Sequence, residues 1–279
     1  MEVAFPSRYL TMPDSEYRSV EAVSQSHLKR ILLSPLHFYN EVVNPREMTD
    51  AQRLGLAVHH DLLGCHEKCH MIVRPEDMSP YTKEGKAWKA DQLSKGNIIV
   101  EAEEILRIAN MRKSLEEDPD VNICLRGDAE VSCFAEMEVC GESVLCKGRL
   151  DLLPKKSDTI VDVKTCHSGS LHSINNDIAK FFYAFQAVHY LKLFNASRFP
   201  GELERDKFLF VFIESEPPHG IRKIMLSERW LQLAEEQWLQ AMTKLVECRR
   251  TGEWPGYDRQ IVILNPPSRD EWRHVEAVL

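Results

Sequence analysis

Residues 148–166, GRLDLLPKKSDTIVDVKTC, contain two short apolar segments on either side of a charged turn. The turn, residues 154–158 (PKKSD), is rich in turn-forming residues, and the flanking segments have the composition of β-strands. We therefore predict a β-hairpin. Side chains two positions apart on a strand point to the same face, so Asp162 and Lys164 are expected side by side. Pairing of the two strands can bring Asp151 close to Asp162.

Two carboxylates and one ammonium group would then lie close together among apolar residues. Carboxylates at short range repel each other unless a cation lies between them, and hard oxygen ligands suit Mg2+ or Mn2+. A lysine beside such an ion can orient or help deprotonate a water and offset charge on a phosphate. The alternative is a surface ion pair of small energetic value. Apolar surroundings favour the first interpretation, because unpaired charge is costly there.

The chain has 279 residues and a formal net charge of −8. It has no apolar run of about 18 residues, and its N-terminus lacks the basic start and apolar run of a signal peptide. We therefore expect a cytoplasmic protein that does not contact a membrane. The acidic charge argues against a general nucleic-acid coat but leaves a nuclease open, since a phosphate-binding groove needs only local positive charge. Lysines cluster around the hairpin and at Lys83, Lys86 and Lys89, although each cluster alone is more often a solvated surface.

The eight cysteines form no CxxC pair. Their spacing is not typical of a zinc site, and none of it supports an iron–sulfur cluster. We expect reduced, mostly buried thiols and no iron–sulfur cofactor.

The hydrophobic pattern predicts one domain over residues 1–279, with an irregular start over 1–23, a mainly helical part over 24–120, an α/β core over 128–252 and a tail over 253–279. A helix is expected to begin near Ser24 or Ser26, and Thr49 with Gln52 forms a capping box before the next helix. The other predicted elements are helices over 82–94 and 101–115, a strand over 130–139, a loop over 170–173, a helix over 176–194, a buried strand over 207–214 with a partner over 220–226, and a helix over 227–250.

Several polar residues in these elements are candidate site residues. His59 lies on an apolar helix face, where a histidine is more often a hydrogen-bonded core residue than a ligand or phosphate contact. Glu130 shares its strand with Glu136 and Glu138, and at least two of these three are expected to face solvent. Gln186 and Tyr190, four positions apart, lie on one helix face.

These residues in chain order resemble a known family. His59, the strand from Glu130, Gly148-Arg149-x-Asp151, Asp162-x-Lys164 and Gln186-x-x-x-Tyr190 follow the order of the RecB-type PD-(D/E)xK nucleases, and more narrowly of RecE-like (exodeoxyribonuclease VIII-type) phage and prophage exonucleases. Supporting stretches lie at 24–29, 34–38, 55–59 and 83–88, and the similarity spans roughly residues 20 to 257. It implies an α/β fold with a restriction-endonuclease-like core, in which helices flank a central mixed sheet, and a helical N-terminal part.

The resemblance also implies roles for individual residues. The implied metal ligands are His59, Asp151, Asp162 and the carbonyl of Val163. The implied catalytic residues are Lys164, Asp151, Asp162, Glu130, Gln186 and Tyr190. The implied DNA contacts are Gln186 and Tyr190. Arg149, Ser26 and Lys29 are further candidates for binding DNA at a 5′-phosphate, which the sequence itself does not assign. The chain departs from the commonest form of the motif in having Asp rather than Glu as its second acid.

By the same resemblance, the protein would be a Mg2+-dependent deoxyribonuclease in which Mn2+ can substitute. It would degrade linear double-stranded DNA processively from 5′ to 3′ and leave 3′ single-stranded tails for recombination. The resemblance also implies a ring-shaped homo-oligomer, with a tetramer favoured over a trimer. It further implies a RecT-like single-strand annealing partner, and a phage or prophage origin in a bacterial host. The alternatives are an endonuclease or single-strand exonuclease of the same fold, a catalytically silent DNA-binding or assembly protein, and a hydrolase of small phosphate esters.

Overall fold

The computed structural model describes residues 6–10, 12–44, 48–64, 70–261 and 263. The strands are β1 (Ser7–Tyr9), β2 (Val23–Ser24), β3 (Met71–Val73), β4 (Ile98–Val100), β5 (Asp128–Val139), β6 (Glu142–Leu153), β7 (Thr159–Cys166), β8 (Lys207–Glu214) and β9 (Ile221–Met225). The helices are α1 (Asp14–Ser19), α2 (Gln25–Leu33), α3 (Pro35–Val43), α4 (Asp50–Leu63), α5 (Lys83–Ser94), α6 (Ala102–Glu117), α7 (Pro119–Leu125), α8 (Leu171–Lys180), α9 (Tyr183–Ala196) and α10 (Glu228–Thr251).

The central sheet is mixed and mostly antiparallel. Its strand order is β1-β5-β6-β7-β8-β9, in which only β7 and β8 pair in parallel, and β2 adds a further parallel contact to β6. Strands β6 and β7 are the predicted hairpin, joined by the turn at 154–158. Helices cover both faces of the sheet. This confirms the predicted α/β fold with a central mixed sheet.

The sheet forks along β6. Strand β5 pairs with one edge of β6 from Asp128 opposite Leu153 to Val139 opposite Glu142, with one break in the ladder at Glu130 and Asp151. The other edge of β6 pairs with β7 at Leu152 and with β2 at Cys146 and Lys147. Residues 148–151 therefore lie between two diverging partners, where side chains can replace main-chain hydrogen bonds.

The hydrophobic core has two parts, one on each face of the sheet. On one face α2, α9 and α10 pack against the strands through large apolar side chains such as Leu28, Phe185 and Trp238. On the other face α4, α6 and α7 do the same through Val58, Met111 and other residues. The two helices that carry candidate site residues, α4 and α9, thus approach the sheet from opposite faces.

Local signals place most helix ends where the sequence predicts them. Ser24 caps α2, and Thr49 caps α4 in a capping box with Gln52. Ser227 caps α10. These predictions hold because a cap depends only on a few neighbouring residues.

Two predictions of local structure are wrong. Residues 170–194 form two helices rather than a loop followed by one helix, because Ser170 caps α8 and Phe182 adopts φ 54° between α8 and α9. The predicted irregular start over 1–23 contains β1, α1 and β2. Strand β1 joins the sheet beside β5, and Arg8 forms an ion pair with Glu202 and lies over the rings of Phe194 and Phe199.

The predicted tail has no helix or strand among its described residues, 253–261 and 263; positions 262 and 264–279 lie outside the described part of the chain. Trp254 stacks on Phe38 and so holds the start of this segment against α3. Among the described residues, no helix is both long enough and apolar enough to cross a membrane.

Candidate active site

Asp151 lies on β6 where this strand diverges from β7. Its side chain accepts a hydrogen bond from β7 where the main-chain pairing of the two strands has ended. The main-chain N–H of Val163 donates to Asp151 Oδ2 over 2.8 Å. This bond keeps the carboxylate, which is only 8% exposed, between the two strands. The pairing of β6 with β7 thus fixes Asp151 beside the segment that carries Asp162 and Lys164.

Asp162 and Lys164 lie side by side on β7, as their spacing predicts. Their side chains form an ion pair, and Asp162 is 1% exposed. Gln186 of α9 donates from Nε2 to the other carboxylate oxygen of Asp162, Oδ1, over 2.6 Å. Both oxygens of Asp162 therefore contact protein groups, and α9 fixes the orientation of this carboxylate.

His59 projects from α4 towards the same strands. Its Nε2 lies 2.8 Å from the carbonyl oxygen of Val163 and 3.6 Å from Asp151 Oδ2. Its Nδ1 lies 3.9 Å from Glu130 Oε1. Ligand atoms of His59, Glu130 and Asp151 all lie within 4.8 Å of one another. The structure thus groups three of the four predicted ligands, His59, Asp151 and the Val163 carbonyl. The fourth, Asp162, is not part of this group, and Glu130, which the sequence predicted as catalytic rather than as a ligand, is.

The backbone at Glu130 turns its side chain towards this group. Glu130 adopts φ 51°, a conformation that non-glycine residues rarely populate. The β5–β6 ladder pairs Ala129 with Leu152 and Val131 with Leu150 but skips Glu130 and Asp151 between them. The two carboxylates therefore meet at a local break in the ladder. Glu136 and Glu138 are exposed, as expected for two of the three glutamates.

The buried carboxylates carry more negative charge than the site balances. Burial and the neighbouring Asp151 raise the pKa of Glu130 to about 7 and that of Asp162 to about 6. Burial lowers the pKa of His59, but Asp151 and Glu130 outweigh it, so the net change is upward. Burial likewise opposes charge on Lys164, yet Asp162 and Asp151 raise its pKa to about 12.

This donor set fits a divalent cation. Carboxylate and carbonyl oxygens suit Mg2+ or Mn2+, and an imidazole adds a ligand that transition metals prefer. Burial is the main cause of the raised pKa values of Glu130 and Asp162, and repulsion from Asp151 adds to it, so a cation among these carboxylates would favour their charged forms. His59, Glu130, Asp151 and the Val163 carbonyl could hold the ion, with Asp162 next to them.

A second lysine, Lys29 of α2, lies close to this group. Its Nζ donates to the carbonyl of Phe181 over 2.9 Å and lies 5.9 Å from the ring centre of Tyr183. The Nζ of Lys164 lies 5.3 Å from the same ring. Burial, followed by repulsion from Lys164, lowers the pKa of Lys29 to about 7. Ser26 is exposed and bonds to Ser24, the cap of α2.

Arg149 is held by the N-terminal segment. Its guanidinium donates to Asp14 Oδ1 over 3.1 Å and to Ser132 Oγ over 3.1 Å, and it lies 4.5 Å from the ring centre of Tyr17. Its charge lowers the pKa of Glu130 against the larger effect of burial. A DNA contact by Arg149 remains a prediction. A DNA phosphate would have to compete with the Asp14 carboxylate for the Arg149 guanidinium.

Tyr190 and Gly148 join α9 to the fork. A Cβ added at Gly148 would lie 2.8 Å from Leu193 Cδ2 and 2.9 Å from Tyr190 Cε1, so only glycine allows this close approach. Burial raises the pKa of Tyr190 well above its usual value, and the charges of Asp162, Asp151 and Glu130 add to this effect. Tyr190 is therefore a neutral side chain beside the carboxylates.

Sequence reasoning missed two residues near the site. Tyr183 lies beneath both lysines, and Asp14 binds Arg149. Tyr183 gave no signal, because its position depends on the left-handed Phe182 before it. Asp14 lies in a segment predicted to be irregular.

Comparison with protein families identifies the chain. The family model described as "PDDEXK-like domain of unknown function (DUF3799)" matches residues 24–264. The chain belongs to this PDDEXK-like family. This confirms the PD-(D/E)xK resemblance seen in the sequence.

One solved structure shares the fold of this PDDEXK-like protein. The chain is similar to a Eubacterium rectale protein named "putative exonuclease", with a TM-score of 0.63 and 15% identity over 94% of this chain and 97% of the other. A phage-related exonuclease from Haemophilus somnus 129PT matches with a TM-score of 0.35 and 14% identity over 83% of this chain and 96% of the other. No curated protein matches the chain.

Proposed function

We propose that this PDDEXK-like protein is a Mg2+-dependent exodeoxyribonuclease, in which Mn2+ can replace Mg2+. One observation carries the proposal: His59, Glu130 and Asp151 converge within 4.8 Å beside the Asp162–Lys164 ion pair. Membership of a PDDEXK-like family, and a fold shared with a "putative exonuclease", support a nuclease.

In this proposal the ion, when bound, supplies Lewis-acid chemistry to a phosphodiester and its attacking water. His59, Glu130, Asp151 and the Val163 carbonyl would hold it, with Asp162 as a further candidate ligand. Side chains of the protein orient the attacking water and offset the charge on the phosphate. Desolvation of the buried carboxylates strengthens every electrostatic interaction inside the site.

Lys164 acts as a cation in this account. Because its pKa is raised to about 12, it stays protonated at neutral pH. It therefore orients the attacking water and offsets charge on the phosphate by hydrogen bonding, and it does not remove a proton from the water. Gln186 positions Asp162 through their hydrogen bond, and Tyr190 adds a neutral side chain near the carboxylates.

The finer features of the proposal rest on the RecE-like resemblance. They are 5′→3′ polarity, processivity on linear duplex DNA, 3′-tailed products for recombination, a ring-shaped homo-oligomer and a RecT-like partner in the cytoplasm of a bacterial host. Lys29, Ser26 and Arg149 are the candidate contacts to DNA phosphates. Lys29 is the best placed of the three, because it shares the Tyr183 ring with Lys164.

Digestion of end-labelled DNA tests this function. Linear duplex carrying a label on either the 5′ or the 3′ end is incubated with the protein and Mg2+, alongside a covalently closed circular duplex. Early release of 5′-labelled mononucleotides with the circle intact is expected. Cutting of the circle would show that the protein is an endonuclease, because a closed circle has no end for an exonuclease. Binding of DNA without any hydrolysis in Mg2+ or Mn2+ would favour a silent DNA-binding protein.

A further inference from the structure

Helix α5 carries three lysines that no local interaction neutralises. Lys83, Lys86 and Lys89 are all exposed, and among the described residues none of them forms an ion pair. No acidic residue lies three or four positions from any of them along the helix. Neighbouring lysines three positions apart repel each other, so this row weakens the helix slightly. The cost has no compensation within the helix itself.

The charges on α5 are segregated. At about 100° per residue the three lysines fall on one flank, spread over about 120°, while Glu84 and Asp91 fall on the opposite flank. Asp91 is bound by Lys95 over 2.6 Å. On α6, the next helix along the chain, basic residues instead form ion pairs with acidic residues one turn away, as in Arg112–Glu116 and Lys113–Glu117. Among the described residues, the three α5 lysines thus lack the carboxylate partners that Arg112 and Lys113 have on α6.

The packing of α5 fixes the lysine row in place. A Cβ at the buried Gly85 would lie 1.9 Å from the carbonyl oxygen of Ser79, so the start of α5 lies directly against the preceding loop. Thr82 caps this end, and the half-buried Trp88 lies on the inner side. The row therefore points outward from a constrained helix start, next to Tyr81, which is 86% exposed.

Helix α5 is connected to the helix that carries His59. Strand β4 follows α5, and the carbonyl of Ile99 in β4 accepts a hydrogen bond of 2.9 Å from Arg53 of α4. His59 lies six residues further along α4, about 9 Å along the helix axis. Helix α5 is thus tied through β4 to the helix that carries His59.

From these observations we propose that Lys83, Lys86 and Lys89 form a contact surface for the DNA phosphate backbone outside the catalytic centre. The proposal rests on the proposed deoxyribonuclease function and adds a duplex-gripping site to it. The row is about 9 Å long, which spans about three phosphates of one strand at about 3.4 Å of duplex axis each. The contacts read charge and not base sequence, because they reach only the backbone.

The test is the salt dependence of duplex binding. A blunt-ended, fluorescently labelled duplex is titrated with the full-length protein at several salt concentrations, with Ca2+ in place of Mg2+ to separate binding from hydrolysis. Each phosphate contact contributes about 0.9 to the slope of log K against log salt. The variant K83Q/K86Q/K89Q is therefore expected to lower the slope by about 2 to 3, and K83R/K86R/K89R to retain it.

A matched control separates this effect from net charge. The variant K95Q/K113Q/K207Q removes three exposed lysines that are each paired with a carboxylate, so its net charge changes equally. Its slope is expected to stay near that of the wild type. Circular dichroism and thermal unfolding confirm that each variant is folded.

The outcomes are distinguishable from failure of the proposed function. An equal slope for both glutamine variants, with hydrolysis intact, would overturn the contact surface alone. Salt-dependent duplex binding that falls in K83Q/K86Q/K89Q, without hydrolysis in Mg2+, would support the surface and overturn the nuclease. A wild type that does not bind duplex DNA would overturn the contact surface as well.

Discussion

His189 of α9 is buried between two neighbours that require its neutral form. Its Nδ1 accepts a hydrogen bond of 3.1 Å from Trp238 Nε1, and its Nε2 donates to the carbonyl of Lys147 over 3.2 Å. An indole N–H can only donate and a carbonyl can only accept, so the two partners fix the tautomer. Burial lowers the pKa of His189 to about 4. Protonation would set two N–H groups against each other at Trp238.

This arrangement predicts a pH dependence of stability. In the unfolded chain the pKa of a histidine is about 6.5. Between this value and about 4 the unfolded state binds the extra proton, so the free energy of unfolding falls as pH falls. At about 1.36 kcal/mol per pKa unit, His189 accounts for a loss of about 2 kcal/mol between pH 7 and pH 5, rising to about 3 kcal/mol at pH 4.

Urea denaturation of the wild type and of His189→Gln over this pH range isolates the effect. Glutamine keeps one donor and one acceptor but does not titrate, so contributions from all other groups cancel in the difference between the two proteins. The wild type should lose about 2 kcal/mol of its advantage over the variant between pH 7 and pH 5. A difference that does not change with pH would refute the neutral, buried imidazole.

Three further predictions concern the site itself. Gly148→Ala should lower stability by about 1–3 kcal/mol in thermal unfolding, since the new methyl group overlaps Leu193 and the ring of Tyr190; an unchanged midpoint would show that α9 yields freely. Gln186→Met should lower nuclease activity about 10- to 100-fold with the fold intact, because Asp162 loses its positioning bond; full activity would remove Gln186 from the site. Mg2+ at about 100 times its dissociation constant should raise the free energy of unfolding by about 2.7 kcal/mol, and EDTA should reverse this effect. A thermal unfolding midpoint that does not change with Mg2+ would contradict a metal site.

The central hairpin could be predicted from sequence because its signals are local. Alternation along β7 places Asp162 and Lys164 on one face whatever the rest of the chain does. The turn residues at 154–158 place Asp151 on the adjoining strand. Cap residues such as Ser24 and Thr49 are equally local, and their helices begin as predicted.

Other features depend on distant parts of the chain and could not be read locally. Arg8 holds β1 in the sheet through Glu202, 194 positions away, so its strand had no local signal. Lys29 finds its partner, Phe181, 152 positions away. Glu130 reaches His59 and Asp151 because its backbone leaves the usual strand conformation opposite Asp151, and no sequence pattern indicates that change.

The central claim is that the carboxylate cluster around Asp151 supports metal-dependent hydrolysis of DNA. The most direct measurement compares nucleotide release from linear duplex by the wild type in Mg2+, the wild type in EDTA, and a folded Asp151→Asn variant in Mg2+. Lewis-acid assistance of several kcal/mol corresponds to about three orders of magnitude in rate. We predict rapid release only from the wild type in Mg2+, with the variant slower by about that factor. Equal release in all three samples, or none in any, would contradict the account.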